Sequence, residues 1–331
     1  MSKARIVAKM RCNRARKHRR LATAKRCYNA RLMEKIFIVI AATLWGIDGV
    51  LRQNVYTLPA EVVVLTEHVI GLIILTIVVL WKRMSIHLPK AAIRPLIFVA
   101  LFSGLFGTLA FTKALQFVHF IPLSVVFLVQ KLQPIFTITT AWIILKERPR
   151  SEFWLWTFAA LTASFFLTFP SGTLNASLPL SPHLMAALFA LIAAASWGTS
   201  TVFSKLALRE SSLFSITYYR FAFTTLFAIP TVFLLGSTGA VATISGAQYL
   251  TLLAIALSTG MVSVVIYYKG LARVPAHVAC ILELAFPVTG FLVDQFVYKT
   301  PLHPIQYVSA IILVGVMYQI ARLKPHAIHQ S

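Results

Sequence analysis

Ten apolar stretches in regular succession constrain this chain more than any other feature of it. They lie near residues 36–54, 61–81, 94–115, 121–145, 153–169, 183–205, 214–236, 247–268, 276–298 and 303–322. A helix needs about 20 apolar residues to cross hydrocarbon. Only helices and closed barrels satisfy every backbone group there. The stretches lack the strict alternation of barrel strands, which excludes a transmembrane barrel. With 58% hydrophobic and 12% charged residues, a soluble two-domain chain is excluded as well. The expected fold is an all-α integral membrane protein of ten transmembrane helices.

The formal net charge of +22 would suit a nucleic-acid partner, but its distribution argues for none. Residues 1–32 hold 12 Lys or Arg and no acid. With Met33 they read as a basic cytoplasmic tail, the alternative being an arm that binds anionic lipid or RNA. Met33 opens MEKIFIVIAATLWG, which reads like the natural start of a membrane protein, so an upstream start codon would account for the tail. A cleaved signal peptide is not expected, because the first apolar span is too long for one. Elsewhere the basic residues cluster on alternate connections, at Lys82, Arg83, Lys146, Arg148, Lys205, Arg209, Lys269 and Arg273. The opposite connections carry little beyond Arg52, Lys113 and Lys299. The positive-inside rule then puts both termini in the cytoplasm of a multi-pass protein of the cell inner membrane. Cys12, Cys27 and Cys280 show neither pairing nor metal-ligand spacing, and no cofactor or metal is expected.

The chain also repeats itself. Trp45-Gly46 recurs as Trp197-Gly198 and His68 as Arg220, both 152 residues on. Lys113-Ala114-Leu115 recurs as Lys269-Gly270-Leu271, 156 residues on. Gln130 and Pro134 recur as Glu283 and Pro287, 153 residues on, each polar residue one helical turn before its proline. This divides the chain into a tail (1–33), a first five-helix repeat (34–169), a linker (170–182), a second five-helix repeat (183–323) and a short cytoplasmic tail (324–331). Five spans are an odd number, so the second unit enters the membrane from the opposite side. Inverted repeats of this kind place a transporter's substrate between the halves near the midplane.

These residues resemble the drug/metabolite transporter superfamily, in particular bacterial ten-helix proteins with two EamA-type repeats. The resemblance rests on LWG at 44–46 and SWG at 196–198, FTKAL at 111–115, YYKGL at 267–271 and QPIFTITTAWIILKER at 133–148. It covers about residues 34–323. The family places a Glu after its fourth helix, here Glu147, whereas the second half has Thr300 after Lys299. A repeat's second helix often carries Arg, as at Arg220, where the first half has His68. The resemblance implies transport of an amino acid, nucleoside, sugar, cofactor such as S-adenosylmethionine, or drug, and the expected function is a secondary transporter of a small polar or zwitterionic metabolite.

A charge at the bilayer centre costs at least about 2.5–3.5 kcal/mol, so one retained there faces a partner or a cavity. The candidates are Asp48, Glu67, His68, Lys131, Arg220, Glu283 and Asp294. Lys131 and Arg220 are suited to a carboxylate or phosphate. Glu283, Asp48 and Glu67 are suited to an ammonium group or a coupling proton. Trp45 and Trp197 are suited to stacking on a ring or cation. The competing reading is that these charges pair with one another and fix helix packing. Asp294 reads as structural, Glu147 as a partner of Lys146, Arg148 or a nearby loop, and Ser103 with Gly107 as a close helix contact. Pro134 and Pro287 are expected to kink their helices and free backbone carbonyls toward a cavity. No GxxxxGK[ST] loop is present, so the expected driving force is a proton gradient or exchange. The expected partners are a small-molecule substrate and the bilayer, with the protein a monomer or homodimer. No HExxH, GxSxG or paired His ligands appear, so no catalytic residue is expected; a membrane-embedded enzyme and a channel are the rival functions.

Overall fold

Helix starts and stops follow the local chemistry of the chain. The structure is a computed structural model that describes residues 32–117, 129–171, 180–297, 299 and 301–323, and every regular element among them is helical. The elements are α1 (32–52), α2 (Ala60–Trp81), α3 (Lys90–Phe117), α4 (Gln133–Leu145), α5 (Ser151–Thr168) and α6 (Leu180–Glu210). They continue with α7 (Leu213–Leu234), α8 (Gly246–Leu271), α9 (Ala276–Leu282), α10 (Ala285–Phe296) and α11 (Pro304–Arg322). Pro59, Pro89 and Pro275 stand just before α2, α3 and α9. Ser212 caps α7 by accepting the Ser215 amide at 3.2 Å, and Ser245 with Gln248 forms a capping box at the start of α8. α4 stops where Lys146 turns left-handed (φ 55°), and the Glu147 amide reaches back to the Ala141 carbonyl at 3.2 Å.

Among the described residues, six helical stretches are long and apolar enough to cross a bilayer: α2, α3, Met185–Glu210 of α6, α8, Ala276–Val293 and α11. Two expected spans differ from the sequence reading. Of 121–145, residues 121–128 lie outside the described residues, and the helix is interrupted at 131–132 before α4 begins. The span 276–298 is interrupted at 283–284, between α9 and α10. Pro134 and Pro287 therefore do not bend continuous helices; each stands in the first turn of a new one, where a missing N–H costs least. The tails 1–31 and 324–331 and most of the linker, 172–179, lie outside the described residues.

The surface of the bundle is inside out relative to a water-soluble protein. Leu234 is 85% exposed and Phe158 72%, whereas Thr137, Ser164, Thr217 and Ser263 are fully buried. Lipid tails solvate such apolar surface, while Thr217 and Ser263 donate to carbonyls of their own helices and Thr137 reaches the Gly198 carbonyl of α6. Trp81, Trp142 and Trp154 are exposed beside the basic connections, where an interfacial aromatic belt belongs. Within the bundle, small residues bring backbones together: Ala186, Ala190 and Ala193 of α6 pack against Ala110 and Ala114 of α3.

Two glycines mark a matching pair of close crossings. A Cβ on Gly46 of α1 would lie 2.8 Å from the Phe286 carbonyl and 2.4 Å from Thr289 Cβ of α10. A Cβ on Gly198 of α6 would lie 2.7 Å from the Gln133 carbonyl and 2.9 Å from Phe136 Cβ of α4. The first helix of each half thus packs on the fourth of the other, through residues at the repeat spacing. Gly46→Val is expected to lower stability by about 1–3 kcal/mol through overpacking. Gly315→Ala on α11, where no atom lies within 4 Å of the new Cβ, should leave it unchanged. Thermal unfolding of the two variants in detergent measures the contrast, and equal melting temperatures would contradict it.

Candidate functional site

The helix interruptions gather the polar residues of the interior. At 131–132 the chain tightens: the Leu132 amide bonds Val129 O at 3.0 Å and the Ile135 amide bonds Leu132 O at 2.9 Å. At 283–284 the Leu284 amide bonds Ile281 O at 3.1 Å and the Phe286 amide bonds Glu283 O at 3.0 Å. The two interruptions meet side chain to side chain. Gln133 Nε2 donates to Glu283 Oε2 at 2.7 Å, across the two halves. Tyr267 donates its hydroxyl to the other Glu283 oxygen at 2.5 Å and lies 3.3 Å from the Thr201 hydroxyl.

These groups line a cavity of about 180 Å³. All nine residues expected at the site stand on its walls: Trp45, Asp48, Glu67, Lys131, Trp197, Arg220, Glu283, Pro134 and Pro287. Their partners differ. Arg52 bonds Asp48 through Nε and Glu67 at 2.8 Å through Nη2, so both acids are ion-paired. Thr259 donates to the second Asp48 oxygen at 2.5 Å. Lys131 donates to the Ser164 carbonyl at 2.8 Å. Arg220 donates to the hydroxyls of Tyr268 and Ser103 at 2.8 and 2.9 Å. His68 also lines the cavity and donates from Nδ1 to the Val64 carbonyl at 2.8 Å. The Asp294 side chain lies outside the described residues.

Both tryptophans take the same packing. Trp45 meets Tyr267 at 5.1 Å between centroids and 55° between planes; Trp197 meets Phe111 at 5.2 Å and 54°. Each Trp of one half therefore leans on the third helix of the other. The third helices also share a second device. α3 and α8 loosen into π-helical turns at Val99–Gly107 and Ala256–Gly260, which end 153 residues apart. Such turns free carbonyls and recur at functional sites. The Ser103 carbonyl accepts from Trp197 Nε1 at 3.2 Å and from the Thr108 hydroxyl at 3.1 Å. Gly107, expected at a close helix contact, gives Trp197 its room, since an added Cβ would lie 2.6 Å from Nε1.

Sequence reasoning missed several members of this site. Arg52 was placed on a loop side of the membrane, yet it is 5% exposed and sits inside. Its four-residue spacing from Asp48 on one helix face was the available signal. Gln133 and Tyr267 stood within motifs already quoted, but nothing local shows that they meet at Glu283.

Of the partners expected for Glu147, the structure shows the third kind, residues beside a neighbouring connection. Glu147 pairs with neither Lys146 nor Arg148 in the described interactions; it caps the opposite half. Its oxygens accept the Ala276 and His277 amides at the start of α9, at 3.0 and 3.1 Å, and His277 Nδ1 at 2.6 Å. Burial alone pushes this carboxyl up, but the bonds to His277 and the two amides hold it below the ordinary carboxylate range. A carboxylate whose pKa falls on folding stabilises the fold above its unfolded value, and that gain is lost as pH drops through the folded value. Glu147→Gln is expected to cost about 1 kcal/mol at pH 7. The gap between variant and parent should close below pH 4.5 in detergent melts; a gap independent of pH would rule out the charge.

Comparison with known proteins agrees with this architecture. A solved crystal structure of 16% identity superposes with a TM-score of 0.70 over 90% of this chain and 98% of that one. The Riboflavin transporter ImpX of Fusobacterium nucleatum subsp. nucleatum is 34% identical over 296 residues, 87% of this chain and 97% of that protein. The Uncharacterized transporter YwfM of Bacillus subtilis (strain 168) is 26% identical over 287 residues, 85% and 92% of the two chains. Residues 32–169 and 184–321 each match the EamA-like transporter family. Two matched repeats, apolar helices and a central polar cavity describe a multi-pass membrane transporter rather than an enzyme, and the chain belongs to the EamA-like transporter family.

Proposed function

We propose that this chain is a secondary transporter that carries a riboflavin-like ring compound across the cell inner membrane by alternating access. The observation that carries the reading is the Gln133–Glu283 bond, which joins the broken helices of the two halves inside an aromatic-walled cavity. The name of the relative at 34% identity supports a flavin over the amino acid or S-adenosylmethionine-like cargo that the sequence alone suggested. Trp45, Phe111, Tyr267 and Phe286 offer faces for a fused ring, and Ser200, Thr201 and Ser204 offer hydroxyls for a polyol chain. At about 180 Å³ the cavity is smaller than the roughly 300–1,000 Å³ of pockets that hold drug-sized ligands, so cargo enters only when the walls part.

The exchanged contacts of Gly46 with α10 and Gly198 with α4 support two inverted five-helix halves and ten spans. The basic connections support cytoplasmic termini. A periplasm-active reporter fused after Lys324 should stay silent, and one placed within 170–182 should be active; a strong signal from the first sinks the ten-span arrangement.

Glu283 is the proposed coupling residue, with Asp48 and Glu67 held in their ion pairs with Arg52. Purified protein in proteoliposomes should take up riboflavin saturably and accumulate it along a pH gradient. Glu283→Gln should lose accumulation and keep exchange, because the amide preserves shape and hydrogen bonding. Absence of saturable riboflavin uptake overturns the cargo; pH-driven accumulation in a folded Glu283→Gln protein removes Glu283 from coupling.

A further inference from the structure

The connection between α4 and α5, residues 146–150, faces two ways. Inward, Glu147 is buried and caps α9 of the other half. Outward, Lys146, Arg148 and Arg150 are exposed, and the Arg148 side chain enters no ion pair or hydrogen bond among the described residues. With Glu147 spent on α9, only Glu152 in the first turn of α5 opposes these three charges within residues 146–152. Beside Arg148 lies a groove of about 370 Å³, lined by Ile138, Thr139, Trp142, Arg148, Pro149 and Trp154. It shares no residue with the central cavity. Trp142 is 60% exposed and Trp154 51%, so the groove opens on the outside of the bundle. Largely apolar walls with one guanidinium among them suit an amphipathic ligand: an apolar chain and an anionic head. A guanidinium with its N–H groups unspent matches a phosphate two bonds at a time.

We propose that this groove holds an anionic phospholipid, with its phosphate on Arg148 and an acyl chain against Ile138, Trp142 and Trp154. Basic pockets at helix ends attract anionic headgroups, and exposed tryptophans sit at headgroup level. The surplus of two positive charges around the groove favours a head of net negative charge over a zwitterionic one, whose own cation cancels its phosphate. The groove wall is also tied to the seam between the halves. Trp154 meets Phe153 at 5.9 Å between centroids, and the buried Phe153 ring meets His277 edge-on at 4.9 Å. His277 in turn bonds Glu147 at 2.6 Å. A lipid seated in the groove therefore braces the contact by which the end of α4 caps α9. The site is independent of the cargo and of the coupling residue.

Native mass spectrometry of the purified full-length protein tests it, by the affinity of the first bound lipid for phosphatidylglycerol against phosphatidylcholine of the same acyl chains. Phosphatidylglycerol should win by about thirtyfold, the factor that two basic residues represent at an anionic surface. Arg148→Gln should cut that preference about fivefold, and Trp142→Ala should weaken both lipids alike. Both side chains are exposed, so both variants keep the fold. Lys82→Gln, on another basic connection, should change neither affinity. Phosphatidylglycerol should also raise the melting temperature of the parent more than that of Arg148→Gln. Equal affinity for the two lipids, or the full preference kept in Arg148→Gln, overturns the proposal. So does displacement of the lipid by millimolar inorganic phosphate, which marks a site for free anions, or a dimer that Trp142→Ala dissociates, which gives the groove to a second copy of the chain.

Discussion

A backbone group released in hydrocarbon has no water to turn to, and the two helix interruptions of this chain dictate what must surround them. At 131–132 and 283–284 the regular ladder stops in the bundle interior. The fold meets that demand with short-range backbone bonds and with a wall of amides, hydroxyls and carboxylates. The π turns of α3 and α8 make the same demand nearby, and Trp197 and Thr108 answer it at Ser103. The polar cavity follows from interrupting helices where nothing else could satisfy them.

The two halves share a scaffold and divide the chemistry unequally. The Trp–aromatic pairs are near copies, as are the glycine crossings. Yet Tyr267 carries a hydroxyl where Phe111 has none, Glu283 is charged where Gln130 is neutral, and Arg220 replaces His68. The two halves thus share a frame while their polar contents differ.

Much of this was legible in the chain. Apolar stretches located most helices within a few residues, and the repeat offsets together with charges inside apolar spans picked out nine residues that line one cavity. Charge in a lipid-bound segment is a strong signal because it is costly. Three things were not legible. The prolines announced a disturbance but not its size, since an interruption depends on what neighbouring helices can satisfy. Arg52 looked like a loop charge because it stands at a helix end, and only packing buries it between Asp48 and Glu67. Glu147 was matched to its chain neighbours or to an unspecified nearby loop, and the chain alone does not say that its partners lie about 130 residues away, in the other half.

The glycine crossings also bear on how the protein is made. Gly46 needs α10, whose Phe286 is synthesised about 240 residues later. At about 5–20 residues per second that interval is roughly 10–50 s. Throughout it the inner face of α1 has been inserted without the helix it is shaped to meet, and lipid must occupy a groove built for protein. Neither half owns a complete interior. The α1–α10 crossing therefore closes only after the second repeat has been made, and a ribosome stalled before Phe286 leaves the Gly46 face of α1 without its partner.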